Sequence, residues 1–144
     1  MIAYTDISRS FMRQISIITV CLNSEKTILR CIESINAQSY SNIQHVIIDG
    51  LPADKTMSII KSNQLESSVI ISEKDANLYD AMNKGIMHSS GEVIAFLNAD
   101  DYYHQENIIE NVMSVFNDGI DFVHGKVELI GYNGEVIRTS GGKY

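Results

Sequence analysis

Short apolar runs alternate along this chain with longer stretches whose apolar residues recur every three or four positions. Ile15 to Leu22, His45 to Ile48, Ser68 to Ser72 and Glu92 to Leu97 are the runs. They are too short for helices and read as strands, with Val93 to Leu97 expected to be buried on both faces. Helical spacing fills the gaps. Ile28, Leu29, Ile32 and Ile35 predict a helix from about Glu25 to Gln38, with Asn23 or Ser24 as its cap. Met57 and Ile60 mark a second helix, capped by Asp54 and running to about Asn63. Leu78, Ala81, Met82, Gly85 and Ile86 mark the inner face of a third, from Asn77 to His88. Ile108, Ile109, Val112 and Phe116 mark a fourth, from Gln105 to Phe116. Asp121 to His124 and Lys126 to Ile130 are further strand candidates. Asn133-Gly134 is a hairpin signal before Glu135 to Arg138. This order predicts an α/β fold: a mostly parallel sheet with helices on both faces and a short β-hairpin at the C-terminus.

Composition narrows the function. The 144 residues suffice for one domain with a real core. Residues 1–14 show no clear period and read as a leader, with the domain over 15–144. Eighteen acids against 11 Lys and Arg give a formal charge of −7, and no basic run offers a track for phosphates. A general nucleic-acid binder is thereby excluded. No apolar segment reaches the ~18 residues that span a bilayer. Cys21 and Cys31 lack metal-site spacing and read as buried thiols in a reducing cytoplasm. His104 and His124 read as structural histidines, and Tyr79 and Met82 as core.

The chemistry sits at the strand ends. The first turn, Asn23-Ser24-Glu25, has no glycine, so it is not a dinucleotide-binding turn, and no Gly-x-x-x-x-Gly-Lys loop exists elsewhere. Acids follow three successive strands instead: Asp49, then Glu73 and Asp75, then Asp100 and Asp101. In a parallel sheet these ends share one edge. With Thr19 and Asn23 beside them, they suit a neutral base and ribose plus a metal-bound diphosphate. Mn2+ or Mg2+ would take the carboxylates, being hard ions that prefer oxygen. A phosphotransfer receiver domain would need its acid pair after the first strand, where Cys21, Leu22 and Asn23 stand.

Four motifs in order resemble the nucleotide-binding part of a GT-A glycosyltransferase of family 2, a Rossmann-like half. They are Ile-Ile-Thr-Val-x-x-Asn-Ser within residues 15–24, Ile48-Asp49-Gly50, the Ser72 to Gly85 segment with Tyr79-Asp80-Ala81-Met82-Asn83-Lys84-Gly85, and Gly91 to Asp101. The similarity runs from Ile15 to Arg138. It implies that Thr19 and neighbouring Val20 meet the nucleotide through the backbone, and that Asp49 accepts a hydrogen bond from a base, typically a pyrimidine. It implies that Asn23 and Asn83 lie near the donor. Asn98-Ala99-Asp100 aligns with the family's Asp-x-Asp motif, which makes Asp100 and Asp101 the implied metal ligands and Asn98 a ribose contact. The family's Asp-Gly-Gly-Ser loop stands here as Asp49-Gly50-Leu51-Pro52, so a left-handed residue is not expected there.

The implied activity is metal-dependent, inverting transfer of a sugar from a nucleotide-diphosphate donor to a hydroxyl acceptor, glycan or lipid-linked, in polysaccharide or glycan biosynthesis. The implied location is the cytoplasm, with peripheral attachment at the inner membrane and self-association both open. No residue stands in a recognisable motif for the general base, and Tyr144 follows the acid pair closely. The alternative is therefore a domain truncated on its acceptor side, a module that binds a nucleotide sugar and transfers it slowly or not at all.

Overall fold

The computed structural model describes residues 12–116, 119–131 and 133–141. These fall into two compact units that divide between Glu110 and Asn111, within one helix. The expected leader lies largely outside the described residues.

In the first unit four strands alternate with three helices: β1 (Ile15–Cys21), α1 (Ile28–Asn36), β2 (Ile43–Asp49), α2 (Thr56–Asn63), β3 (Val69–Ser72), α3 (Leu78–Met87) and β4 (Val93–Phe96). α4 (Ile108–Val115) carries the division between the units. The sheet order is β3-β2-β1-β4, and every pairing is parallel. β1 and β2 are buried along their whole length, as their β-branched runs require. Helices cover both faces. Cys21, Ile28, Ile32, Ile47, Ile60 and Ala99 form one buried cluster beneath α1 and α2. Ile18, Val20, Val46, Ile48 and Ala81 form the other beneath α3. α3 lies so close to β1 that a Cβ on Gly85 would come within 2.3 Å of Ile18 Cγ2.

Several expectations change. Ile94 and Phe96 are 41% and 45% exposed, so β4 is not buried on both faces. It ends the four-strand ladder, and α3 packs over β1 and β2 instead. Tyr79 is 75% exposed, and Leu78 and Ile86 also face outward, so the buried stripe of α3 narrows to Ala81 and Gly85 with Met82 packed against it. α1 starts at Ile28 with no side-chain cap, because Asn23 Oδ1 accepts from the amide of Ala53 and Ser24 Oγ donates to the carbonyl of Leu22. Asn77, expected as the first residue of α3, is instead its cap, its Oδ1 accepting from the amides of Tyr79 and Asp80 at 2.9 and 3.1 Å.

In the second unit β5 (Val127–Ile130) and β6 (Val136–Ser140) form an antiparallel hairpin, with Gly134 at φ 82 in its turn. Residues 121–124 are not a strand. A four-residue run needs a neighbouring ladder, and among the described residues the sheet of this unit has only the two hairpin strands. Phe122 stacks on His124 instead, ring centroids 6.0 Å apart.

Candidate nucleotide-binding cleft

The chain leaves β1 toward β2 on one side, and returns through α3 to β4 on the other. The strand order therefore reverses between β1 and β4, where open α/β sheets bind ligands. The two strands part at that point. Their pairing ends at Ile18 and Phe96, with a last bond of 3.0 Å from the amide of Leu97 to the carbonyl of Ile18. Pairing of β1 with β2 continues three residues farther, to Cys21 and Asp49. The gap opens into a cleft of about 620 Å3, lined by residues 20–27, residues 98–100, Asp54 and Leu78.

One wall is the turn after β1, and it is fastened to the loop after β2. Asn23 holds φ 51, and its Oδ1 accepts from the amide of Ala53 at 2.8 Å. Asp54 Oδ2 accepts from the amide of Glu25, and Glu25 Oε2 accepts from the amide of Lys55, each at 3.1 Å. Thr56 Oγ1 accepts from the amide of Ser24 at 2.7 Å and donates to Asp54 Oδ1. These bonds hold the Asp54 carboxyl below the usual range, against the raising effect of desolvation. Leu51, contrary to expectation, keeps a left-handed residue in the second loop, at φ 63. The cross-loop bonds over-determine a conformation that leucine disfavours by about 1–2 kcal/mol.

The opposite wall is the acidic loop. Ala99 is buried, while Asp100 and Asp101 are exposed. The amide of Asp101 donates to the carbonyl of Asn98 at 3.0 Å, closing a turn. Burial raises the Asp101 carboxyl, the Asp100 charge adds to this, and the Asn98 side chain opposes it. Asn98 Oδ1 is buried and has no hydrogen-bond partner among the described residues. An acceptor without a donor, next to two carboxylates, is a set of hard oxygen donors. That fits a divalent cation of the Mg2+ or Mn2+ kind, which needs one or two carboxylates and takes its remaining oxygens from phosphate and water. Among the described residues there is no cluster of three or more His, Cys, Asp or Glu that could hold a metal unaided.

Of the residues singled out from sequence, Val20, Asn23, Asn98 and Asp100 line the cleft. Thr19, Asp49, Asn83 and Asp101 do not, Asp101 lying in the acidic loop next to the lining residue Asp100. Thr19 is buried, with Oγ1 2.9 Å from His45 Nε2 and 3.8 Å from Cys31 Sγ. Asp49 is 0% exposed. Its Oδ2 accepts from Ser72 Oγ at 2.6 Å and its Oδ1 from Cys21 Sγ at 3.7 Å, so the carboxylate is not presented to a base in this conformation. Desolvation first, and Asp49 second, keep Cys21 a neutral thiol. Asn83 is exposed on α3.

Glu73 and Asp75 lie at the same sheet edge but serve another purpose. Lys84 Nζ binds them at 2.9 and 2.7 Å and reaches Asp80 at 3.4 Å. Hydrogen bonds to Asp75 and Glu73 push the Lys84 ammonium up. Sequence reasoning missed this hub, although Asp80 and Lys84 stand one helical turn apart. It also missed the role of Glu25 and Thr56 in joining the two loops, for which only their polarity was a signal.

The profile of the family described as Glycosyl transferase family 2 matches residues 16–142. The chain is 30% identical over 104 residues to an uncharacterized glycosyltransferase of Mycobacterium tuberculosis, covering 72% of this chain and 40% of that protein. It is 30% identical over 127 residues to glycosyltransferase AglE of Haloferax volcanii, covering 83% and 41%. Among solved structures, it is similar to mannosyltransferase PcManGT of Pyrobaculum calidifontis in complex with GDP-Man and Mn2+. The TM-score is 0.68 at 17% identity, over 84% of this chain and 36% of that one. The chain thus spans about two fifths of the curated relatives it matches.

Proposed function

Because the chain belongs to glycosyl transferase family 2, we propose that its cleft holds a nucleotide-diphosphate sugar and that the chain is the donor-binding part of a glycosyltransferase. The observation that carries this is that Asp100 lines the cleft together with Asn98, whose buried Oδ1 has no hydrogen-bond partner among the described residues, where the strand order reverses. The complex of PcManGT with GDP-Man and Mn2+ supports it for a similar fold.

Each wall has its task. The β1–α1 turn, with Val20 and Asn23, receives the nucleoside, and Thr19 contributes only its backbone. The fastened loops keep this wall rigid, so little ordering is required on binding. Asn98, Asp100 and Asp101 are the residues that would hold Mn2+ or Mg2+. Such an ion, when bound, offsets the charge on a leaving diphosphate. Glu25 and Asp54 are the other carboxylates of the cleft, and both already accept hydrogen bonds from backbone amides. Neither is offered as a covalent nucleophile, which supports a single inverting displacement by an acceptor hydroxyl. Two buried free thiols, Cys21 and Cys31, support a reducing, cytoplasmic setting. Among the described residues no helix is long and apolar enough to cross a membrane.

A thermal-shift screen of nucleoside diphosphates and their sugars, with and without Mn2+, tests the proposal. A ligand at 100 times its Kd stabilises the native state by about 2.7 kcal/mol. The expected outcome is a rise in Tm for a nucleoside diphosphate with Mn2+ and a smaller one without it. No response to any of them contradicts the proposal.

A further inference from the structure

Resting on that reading, we propose that Arg30 is a positioning residue for the acid pair, acting through Tyr102, and that α1 is the element that sets the shape of the acidic loop. The Arg30 guanidinium carbon lies 3.4 Å from the centroid of the Tyr102 ring. Tyr102 directly follows Asp101. One helical turn along, Ser34 Oγ accepts from the amide of Tyr103 at 3.1 Å. Just past the end of α1, Gln38 Nε2 donates to the carbonyl of Gln105 at 2.8 Å, and its Oε1 accepts from the amide of Ile109 at 3.0 Å. Arg30 and Ser34 stand at i and i+4 and form one stripe on α1, and Gln38 extends it just beyond the C-cap Ala37.

The other end of the loop is held by the same helix. Ala99 is buried with Ile28 and Ile32 of α1. Asp100 and Asp101 are therefore an exposed step of two residues between two anchors on one helix. Ala99 is anchored by apolar packing, which tolerates small slips. The Tyr102 side is anchored by polar contacts with direction. A planar guanidinium over a ring fixes both separation and tilt, as a point charge does not. Two carboxylates that share a cation must be held against their own repulsion. The stripe supplies that hold without contributing a ligand, which is why Arg30, Ser34 and Gln38 stand outside the cleft lining.

The test is calorimetric titration of the 144-residue chain with UDP and with GDP, each with and without Mn2+. The variants are Arg30→Ala, Arg30→Lys, Tyr102→Leu, Tyr102→Phe and the double variant Arg30→Ala with Tyr102→Leu. Arg30→Ala and Tyr102→Leu should each weaken Mn2+-dependent binding about two- to fivefold, the scale of a cation–π contact. The double variant should be no weaker than the weaker single one. Tyr102→Phe keeps the ring face and should bind as the native chain does, a rescue that a lost hydroxyl contact would not allow. Arg30→Lys should fall between. Electron paramagnetic resonance of Mn2+ with the diphosphate gives a second readout, and its spectrum should broaden in Arg30→Ala. The inference is overturned if Arg30→Ala and Tyr102→Leu bind as the native chain while Asp100→Asn does not. It is also overturned if their losses add in the double variant. If the native chain shows no Mn2+-dependent binding of either diphosphate, the functional reading fails first and takes this inference with it.

Discussion

Asp100 and Asp49 were both legible from sequence as acids at strand ends, and the structure separates them. Asp100 lies in the cleft, while Asp49 points along a row of three strands, between Cys21 and Ser72. Sequence gives the order of residues on a strand but not the exposure of the last one. Asp49→Asn keeps the size yet turns one acceptor oxygen into a donor facing an existing donor. It should cost about 1–3 kcal/mol in urea denaturation, the penalty for a buried polar group left without a proper partner. Cost-free replacement would show that the Ser72 and Cys21 contacts are immaterial. His45 was unremarkable in sequence and is fully buried. Burial alone pushes its imidazole down from 6.5 to about 4. The unfolded chain binds this proton first, so the neutral ring's contribution is complete above pH 6.5 and is lost as pH falls toward 4. The loss reaches about 1.4 kcal/mol per pH unit within that window. Replacing His45 by Gln should remove that slope from the variant, so the difference between native and variant stabilities should change from pH 7 to 6 to 5, and a parallel pair of curves would contradict it.

At the scale of elements, period and length identified every strand of the parallel sheet and every helix, because β-branched runs and amphipathic stripes are local signals. The ends were less legible. α1 begins at Ile28 rather than Glu25 because Ser24 and Glu25 bond to the loop after β2, about thirty residues away in sequence. The exposure of β4 was hidden for a similar reason: an apolar run does not say whether it ends a sheet. Gly85 shows the reverse, a residue whose sequence position on the inner face matters more in the structure than the pattern suggested. A methyl there would overlap Ile18, so Gly85→Ala should destabilise by about 1–3 kcal/mol through overpacking, despite alanine's better helix propensity. Asn77→Ala removes the cap of α3 and should cost about 1 kcal/mol. Both are read from denaturant midpoints at constant m-value. A stabilised Gly85→Ala would mean that α3 sits farther from β1.

For the molecule as a whole, the four motifs in order carried the family, and the parallel sheet brings its strand ends to one edge, as the acids after successive strands suggested. The division of labour along that edge was not in the sequence. Glu73 and Asp75 share Lys84, Asp54 and Glu25 join loops, and the proposal gives the cation to the Asn98 to Asp101 turn. One measurement tests that division most directly: calorimetric titration of a nucleoside diphosphate into the native chain and into Asp100→Asn, with and without Mn2+. The account predicts that Mn2+ strengthens binding to the native chain, that Asp100→Asn removes this gain, and that the variant's Tm stays near the native value because the residue is exposed in a loop. An Mn2+ gain of equal size in native chain and variant would contradict it.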